Sequence, residues 1–287
     1  MKLTINLAKY ACLLFVTFTF WNCTDTTEIK KHNWKLVWSD EFNTMTSDSL
    51  PDPAKWTFDI GTGPNNDGWG NNEREYYTKR TTNVKLDSID GVKCLKITAR
   101  SETFGNNVYT SGRINTKGLF SQQFGRIEAR IKQPYGPGLW PAFWMLGSNI
   151  DTNAWPRCGE IDIMEYKGQQ PTLVHGTVHC PSLSNPAADI YITQQFGYET
   201  TRLDADYHIY AVEWSAGSID FYLDDILYRE ITKDDIASKQ ASWVLDNPFY
   251  IILNLAVGGG YVGDPNTNTT FPQTMLVDYV RVYKDAE

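Results

Sequence analysis

The 287-residue sequence has few cysteines, little helical periodicity and no dense stretch of positive charge. Its five cysteines form no CxxC pair and no Cys/His ligand spacing, so a zinc site is not expected. The net charge is −8, and the basic stripe typical of nucleic-acid-binding proteins is missing. No internal repeat is visible, and no transmembrane segment follows the N-terminal region. These absences argue against a nucleic-acid partner and disfavour polyanionic ligands.

The N-terminal residues are typical of an export signal. Two lysines border the start of an apolar run over 11–21, which is too short to cross a bilayer and predicts a signal peptide over 1–22. The run leads into Cys23, which is placed like the acylated cysteine of a bacterial lipoprotein, and a polar tether over 23–33 follows. The protein is expected to be exported, either as a cell-surface or outer-membrane lipoprotein anchored at Cys23 or as a secreted protein.

Aromatic side chains, in contrast, are abundant. They make up 14% of the chain and suit both strands and sugar-binding platforms. From residue 34 onward the sequence consists of short β-like runs broken by Gly, Asn, Asp and Pro, and only 232–240 looks helical. This pattern predicts one all-β domain over 34–287, built as a sandwich or barrel.

Individual runs predict which residues face the core. In GRIEARIK, Ile127, Ala129 and Ile131 share one face and charged residues share the other, as in a half-buried strand. The run 249–257, FYIILNLAV, is more continuously apolar and fits a strand between two layers. A hairpin is expected to turn at Asp224–Asp225.

The stretch GEIDIMEY carries three acids at uneven spacing: Glu160, Asp162 and Glu165. In a regular strand Glu165 would point away from the other two, because side chains alternate faces. A β-bulge between Asp162 and Glu165 would bring all three to one face. Crowded carboxylates raise one another's pKa, which allows one to act as an acid and another as a nucleophile. A solvated acidic face and a cation site are the alternatives for the strand alone.

A tryptophan pair lies just upstream in GPGLWPAFWML. Trp140 and Trp144 are four residues apart, so a strand places both on one face. Core packing is the usual role of such a pair. Beside a carboxylate strand, however, both rings can form sugar-stacking walls.

Taken together, GEIDIMEY and WPAFWML resemble glycoside hydrolase family 16, in its laminarinase-like (endo-β-1,3-glucanase) branch. The resemblance extends from about residue 34 to 283 and includes LVWSDEF, GWGNNEREYYT, SGRINTKGLFSQQFGRIEARIK, HGTVH and DYVRVY. It implies a jelly-roll sandwich of two curved antiparallel sheets with a concave substrate cleft. It also implies retaining endo-hydrolysis of a β-1,3-glucan without a cofactor. Mixed-linked β-1,3-1,4-glucan is the closest alternative substrate, and a non-catalytic glycan-binding protein on the same fold is a further alternative.

The resemblance also assigns roles to residues. Glu160 resembles the nucleophile, Asp162 an assisting acid and Glu165 the acid/base. The implied substrate-binding residues are Trp140 and Trp144 on the donor side, His179 and Arg113 in the cleft, and Asn71 and Glu73 at the non-reducing end. Tyr261 stands where related laminarinases often place a tryptophan, which leaves the acceptor side less defined.

The resemblance further implies a structural calcium ion, with ligands at Glu41, Gly91 and Asp278. Gly91 would contribute only its backbone carbonyl, and oxygen donors suit this cation. A monomer is expected. Separately, a hairpin centred near Gln169 would place Cys158 opposite Cys180, and an exported protein permits that disulfide.

Overall fold

The computed structural model describes residues 32–44 and 49–286, so the predicted signal peptide and Cys23 lie outside the described residues. The described residues contain one short helix, α1 (Lys233–Ser238), and an irregular turn at Gly68–Asn72. None of the helices among these residues has the length and apolarity needed to cross a membrane. Their strands are β1 (Trp34–Asp40), β2 (Thr57–Phe58), β3 (Glu75–Tyr77), β4 (Val84–Ile89), β5 (Val92–Phe104), β6 (Asn107–Ser111), β7 (Arg113–Asn115), β8 (Gly125–Lys132), β9 (Leu139–Gly147), β10 (Glu160–Glu165), β11 (Leu173–Pro181), β12 (Asp189–Gly197), β13 (His208–Ser215), β14 (Ser218–Leu223), β15 (Ile226–Thr232), β16 (Phe249–Val257) and β17 (Gln273–Asp285).

The strands form two sheets. The seven-stranded sheet, called the cleft sheet below, has the order β12-β11-β10-β9-β16-β7-β2. The ten-stranded back sheet has the order β15-β14-β13-β8-β17-β5-β6-β3, with β1 paired to β17 and β4 to β5. Pairing is antiparallel throughout the described strands except between β3 and β6. The expected jelly-roll sandwich is confirmed.

Alternating side chains from the two sheets form the main core between them. Ile127, Ala129 and Ile131 of β8 are fully buried there, as the alternation in GRIEARIK predicts. The charged face of the same strand is less exposed than expected for a half-buried strand, because carboxylates surround Arg126. It pairs with Glu128 at 2.8 Å and with Glu213 at 3.1 Å.

Other local predictions also hold. The hairpin between β14 and β15 turns at Asp224 and Asp225, which both have positive φ. Thr232 caps helix α1, since its hydroxyl accepts a hydrogen bond from the Asp235 N–H and the Asp235 carboxylate accepts one from the Thr232 N–H. Every residue of β16 is buried, as expected for a strand between two layers.

The predicted pairing of Cys158 with Cys180 is wrong. In the structure both thiols are free and buried. The β10–β11 hairpin is shifted by one residue from the expected register, so Glu160 lies opposite His179. A one-residue shift sends a side chain to the other face of the sheet. Cys180 therefore points into the main core, whereas Cys158 packs with Leu146 in a separate small cluster.

Candidate active site

The β-bulge expected in the acid strand is present. On the β9 side the register slips between Asp162 and Met164, and on the β11 side it slips between Asp162 and Glu165. Glu160, Asp162 and Glu165 consequently share the exposed face of the cleft sheet, called the cleft face below. Ile163 and Met164, which lie within the bulge, are both buried in the main core.

A glycine fixes where the acid strand begins. Gly159 directly precedes Glu160 and has φ +80. A Cβ at this position would approach Leu245 at 2.9 Å and Phe249 at 3.0 Å, so a larger residue would be strained and crowded. The backbone can therefore turn tightly against the core and deliver Glu160 to the cleft face.

Asp162 is the most buried of the three acids. Its side chain lies between the two glutamates, and burial together with the charges of Glu160 and Glu165 raises its pKa well above the usual value. His179 Nε2 lies 3.3 Å from Asp162 Oδ2, while His179 Nδ1 lies 2.8 Å from Asp189 Oδ2. Burial opposes a charge on His179, but Glu160, Asp162 and Asp189 together raise its pKa to about 12.

Glu165 is held by two donors. Trp140 Nε1 donates to its Oε1 at 3.1 Å, and Thr177 Oγ1 donates to its Oε2 at 3.2 Å. Burial raises the pKa of Glu165 to about 7, and the negative charge of Glu160 adds to that rise, although positive His179 opposes it. A carboxyl with this pKa exists in both protonation states near neutral pH, as a general acid/base requires.

Glu160 has a hydrogen-bond partner that was not predicted from the sequence. Trp155 Nε1 donates to Glu160 Oε2 at 2.6 Å, and this indole is 45% exposed at the cleft. Trp155 lies in the β9–β10 loop, immediately before Pro156 and five residues before the carboxylate. The sequence offered one indication of this contact, because Trp155 lies in WPRCGE, only five residues before Glu160.

The cation-site alternative meets an electrostatic obstacle. Glu160, Asp162 and His179 each bring one potential ligand atom within 4.8 Å of the others. An imidazolium has no lone pair for a metal, so a cation could bind His179 only by displacing a proton that the surrounding carboxylates stabilise by raising the pKa of the imidazole to about 12. The cluster is therefore a charge-balanced group of acids and one cation.

The tryptophan pair lies on the cleft face beside the acids. Trp144 Nε1 donates to Asn254 Oδ1 at 2.7 Å, and the Arg113 guanidinium lies 4.9 Å from the Trp144 ring centroid. Arg113 is buried and paired with Asp59 at 2.8 Å. Trp140 packs against Tyr261, with ring centroids 4.9 Å apart.

Behind Trp144, hydrogen bonds continue away from the acids. Asn254 Nδ2 donates to Tyr77 Oη at 3.1 Å, and Tyr77 Oη donates to Glu73 Oε2 at 2.9 Å. Asn71 Nδ2 donates to the other oxygen of Glu73 at 3.1 Å. Asn254 and Tyr77 were not predicted, although Asn254 is the one polar residue in FYIILNLAV.

Tyr261 lies over the Glu165 end of the acid strand. Its ring contacts Trp140 on one side and His175 on the other, with the His175 ring centroid 5.8 Å away. The Lys167 ammonium lies 3.8 Å from the centroid of the same ring. Tyr261 therefore contacts both Trp140 of β9 and His175 of β11.

The residues predicted as calcium ligands are paired with other groups. Arg281 holds both oxygens of Glu41, at 3.0 and 2.7 Å, and Arg130 holds Asp278 at 2.7 Å. Gly91 lies in the tight turn between β4 and β5 with φ +83. In this arrangement both carboxylates face guanidinium groups, so a calcium ion would have to displace Arg281 from Glu41 and Arg130 from Asp278.

A cleft sheet with clustered carboxylates and flanking indoles is typical of carbohydrate-active hydrolases. The family model for glycosyl hydrolases family 16 matches residues 68–281. The chain is 40% identical over 266 residues to the β-glucanase of Rhodothermus marinus, covering 90% of this chain and 88% of that relative. The chain therefore belongs to glycoside hydrolase family 16, and it is a glycosidase that needs no cofactor for catalysis.

Solved structures agree with this assignment. The catalytic domain of an endo-1,3-β-glucanase (laminarinase) from Thermotoga petrophila matches with a TM-score of 0.78 and 42% identity, over 90% of this chain and 100% of that one. The endo-β-1,3-glucanase from Pyrococcus furiosus matches with a TM-score of 0.79 and 43% identity, over 91% and 98% of the two chains.

Proposed function

We propose that the protein is a retaining endo-β-1,3-glucanase that cleaves laminarin-type polysaccharides. The observation that carries the proposal is the bulge in β10, which gathers Glu160, Asp162 and Glu165 on the cleft face. The two structural relatives named as endo-1,3-β-glucanases support the choice of linkage.

In the first step, the Glu165 carboxyl donates its proton to the glycosidic oxygen while a Glu160 carboxylate oxygen attacks the anomeric carbon. The bond from that carbon to the leaving sugar breaks, and a glycosyl ester forms on Glu160. Glu165 is then a carboxylate that takes a proton from water. The water oxygen attacks the anomeric carbon, the ester bond breaks, and the β configuration is restored.

Neighbouring residues position these two carboxylates. Trp155 holds one oxygen of Glu160, so the other oxygen is oriented for attack. Asp162 lies between the glutamates, and His179 balances their charge. Trp140 and Thr177 each hold one oxygen of Glu165. Fixed donors of this kind reduce the reorganisation needed during the reaction.

Sugar rings would be bound by the flanking aromatic side chains. Trp140 and Trp144 offer apolar faces on the donor side, while Arg113, Asn71 and Glu73 lie beyond Trp144 toward the non-reducing end. Since β-1,3-glucan is uncharged, a cleft whose carboxylates are mostly paired within the protein suits it. The intact acid cluster favours an enzyme over a glycan-binding protein.

Mixed-linked β-1,3-1,4-glucan is the second candidate substrate, because the Rhodothermus relative is named only as a β-glucanase. The test is release of reducing ends from laminarin, mixed-linked glucan, agarose and carrageenan, with product sizes followed over time. Rapid release of mixed oligosaccharides, fastest from laminarin, supports the proposal. Fastest release from mixed-linked glucan would replace the substrate, and no release from a folded protein would overturn the proposal.

Export and the structural calcium are further parts of this proposal. We propose a signal peptide that ends before Cys23. Mass spectrometry of the mature protein tests this, because cleavage there would leave Cys23 as the first residue, either acylated or with a free amine. A calcium site at Glu41, Gly91 and Asp278 stays a prediction. Binding would require both carboxylates to leave their arginine partners. A rise in melting temperature on adding Ca²⁺ to chelator-treated protein would support it, and no change would contradict it.

A further inference from the structure

Strand β12 carries a row of exposed side chains beyond the acid cluster. It pairs with β11 at the edge of the cleft sheet. The register places Tyr191 opposite His179, Thr193 opposite Thr177 and Gln195 opposite His175. Residues directly opposite one another on neighbouring strands point to the same face. These three β12 side chains therefore lie on the cleft face.

Tyr191 is in line with Glu160. Glu160 pairs with His179, and His179 pairs with Tyr191, so the three residues form one row across three strands. Two strand spacings place Tyr191 about 10 Å from the acid strand. The opposite side of the acid strand is β9, which carries Trp140 and Trp144. A polysaccharide that crosses the strands from the tryptophans over the acids would continue over His179 and Tyr191.

The environment of Tyr191 suits a sugar ring. Its side chain is 58% exposed, and its ring centroid lies 5.6 Å from that of His179. His179 contacts Asp162 and Asp189 through its two ring nitrogens, so the tyrosine packs against a ring that two carboxylates hold in place. The alternate residues of β12, including Ile190 and Ile192, pack against the core and fix the strand's facing.

We propose that Tyr191, flanked by the polar side chains of Thr193 and Gln195, binds a glucose residue on the acceptor (reducing-end) side of the scissile bond. The aromatic ring meets the apolar C–H face of the sugar, and the hydroxyl and amide groups can bind its hydroxyls. This inference rests on the proposed function, because it assumes that a β-glucan occupies the cleft.

The experiment compares a substrate that has sugars on the acceptor side with one that has none. Laminarin places glucose residues over β11 and β12, whereas an aryl β-laminaribioside has a phenolate leaving group and no acceptor-side sugar. Tyr191→Ala should lower kcat/KM for laminarin about 3- to 10-fold, the range expected for loss of one aromatic contact. On the aryl glycoside the same variant should change kcat/KM less than twofold.

Two further variants complete the test. Tyr191→Phe keeps the ring and should retain at least half of the laminarin activity. Leu227→Ala truncates another exposed side chain on β15 of the back sheet and should affect neither substrate. An unchanged laminarin rate in Tyr191→Ala would overturn the inference, and so would equal losses on both substrates, since these indicate a structural role. Wild-type protein inactive on laminarin would overturn the proposed function as well, which separates the two failures.

Discussion

Trp144 Nε1 lies 2.7 Å from Asn254 Oδ1, and this bond begins a series of hydrogen bonds that all run in one direction. The indole donates to the amide oxygen, the amide nitrogen donates to Tyr77, and the tyrosine hydroxyl donates to Glu73. A carboxylate ends the series, which strengthens each preceding bond by polarisation. The orientation of the Trp144 indole therefore depends on Asn254, Tyr77 and Glu73, which lie behind it.

The first prediction concerns Asn254. Replacing Asn254 with Leu leaves the Trp144 N–H without its acceptor, and the loss of one such buried partner corresponds to about a tenfold fall in kcat/KM for laminarin. The fall should appear mainly in KM, because in the proposed binding mode Trp144 contacts the sugar and not the reacting atoms. Tyr77→Phe removes a link one step further away and should have a smaller effect. Equal kinetics in wild type and Asn254→Leu would show that this hydrogen bond does not orient the Trp144 indole.

The second prediction concerns the pH dependence of catalysis. Glu165 must be protonated to act as the acid, and its pKa is raised to about 7. We therefore expect kcat/KM for laminarin to fall as the pH rises through about 7, with an apparent value that belongs to the coupled acids together. Rate measurements from pH 4 to 9 check this. A rate still rising above pH 8 would contradict the assignment of Glu165.

His179 supplies the third prediction. Its positive charge lowers the pKa of Glu165, in opposition to burial and Glu160. His179→Asn removes that charge, so the pKa of Glu165 should rise and the descending limb of the pH profile should move to higher pH. The shift is measured on the same substrate and pH series as for the wild type. A limb that stays in place or moves to lower pH would disprove the charge-balancing role.

Several of these features could be predicted from the sequence, and the reasons are local. The spacing of Glu160, Asp162 and Glu165 demanded a bulge if all three were to act together, and alternation in GRIEARIK identified its core face. The Cys158–Cys180 pairing failed because hairpin register depends on turn geometry, which the sequence indicates only to within a residue. Trp155 and Asn254 were missed because their partners lie on other elements, and such contacts follow from the assembled sheets.

The fourth prediction links function to stability. The folded-state pKa of Glu165, about 7, lies above its ordinary value of 4.5. Between these two pH values the folded state binds more protons than the unfolded state, so stability falls as the pH rises and stays lower above 7. Glu165→Gln cannot ionise and should be more stable than wild type at pH 8 by roughly 1–3 kcal/mol.

Urea unfolding of both proteins at pH 4.5 and pH 8 measures this difference. The gain in Glu165→Gln should be small at pH 4.5, where the wild-type carboxyl is protonated in the folded state. A variant that is equally or less stable at pH 8 would show that the buried carboxylate carries no such penalty.

The fifth prediction separates the roles of the two glutamates. Glu165→Ala should lose about 10²- to 10⁴-fold in kcat on laminarin, because the leaving oxygen is no longer protonated. An aryl glycoside with a good leaving group should still form the glycosyl ester, and added azide should then give a β-glycosyl azide. Glu160→Ala with azide should give the α product instead. The opposite pattern of products would exchange the two assignments.

The most direct test of the central claim is the configuration of the first product released from laminarin, followed by proton NMR of the anomeric signals. A retaining endo-β-1,3-glucanase should release oligosaccharides whose new reducing ends are initially β, with α appearing only by slow mutarotation. An α anomer at the earliest times would contradict the double displacement through Glu160.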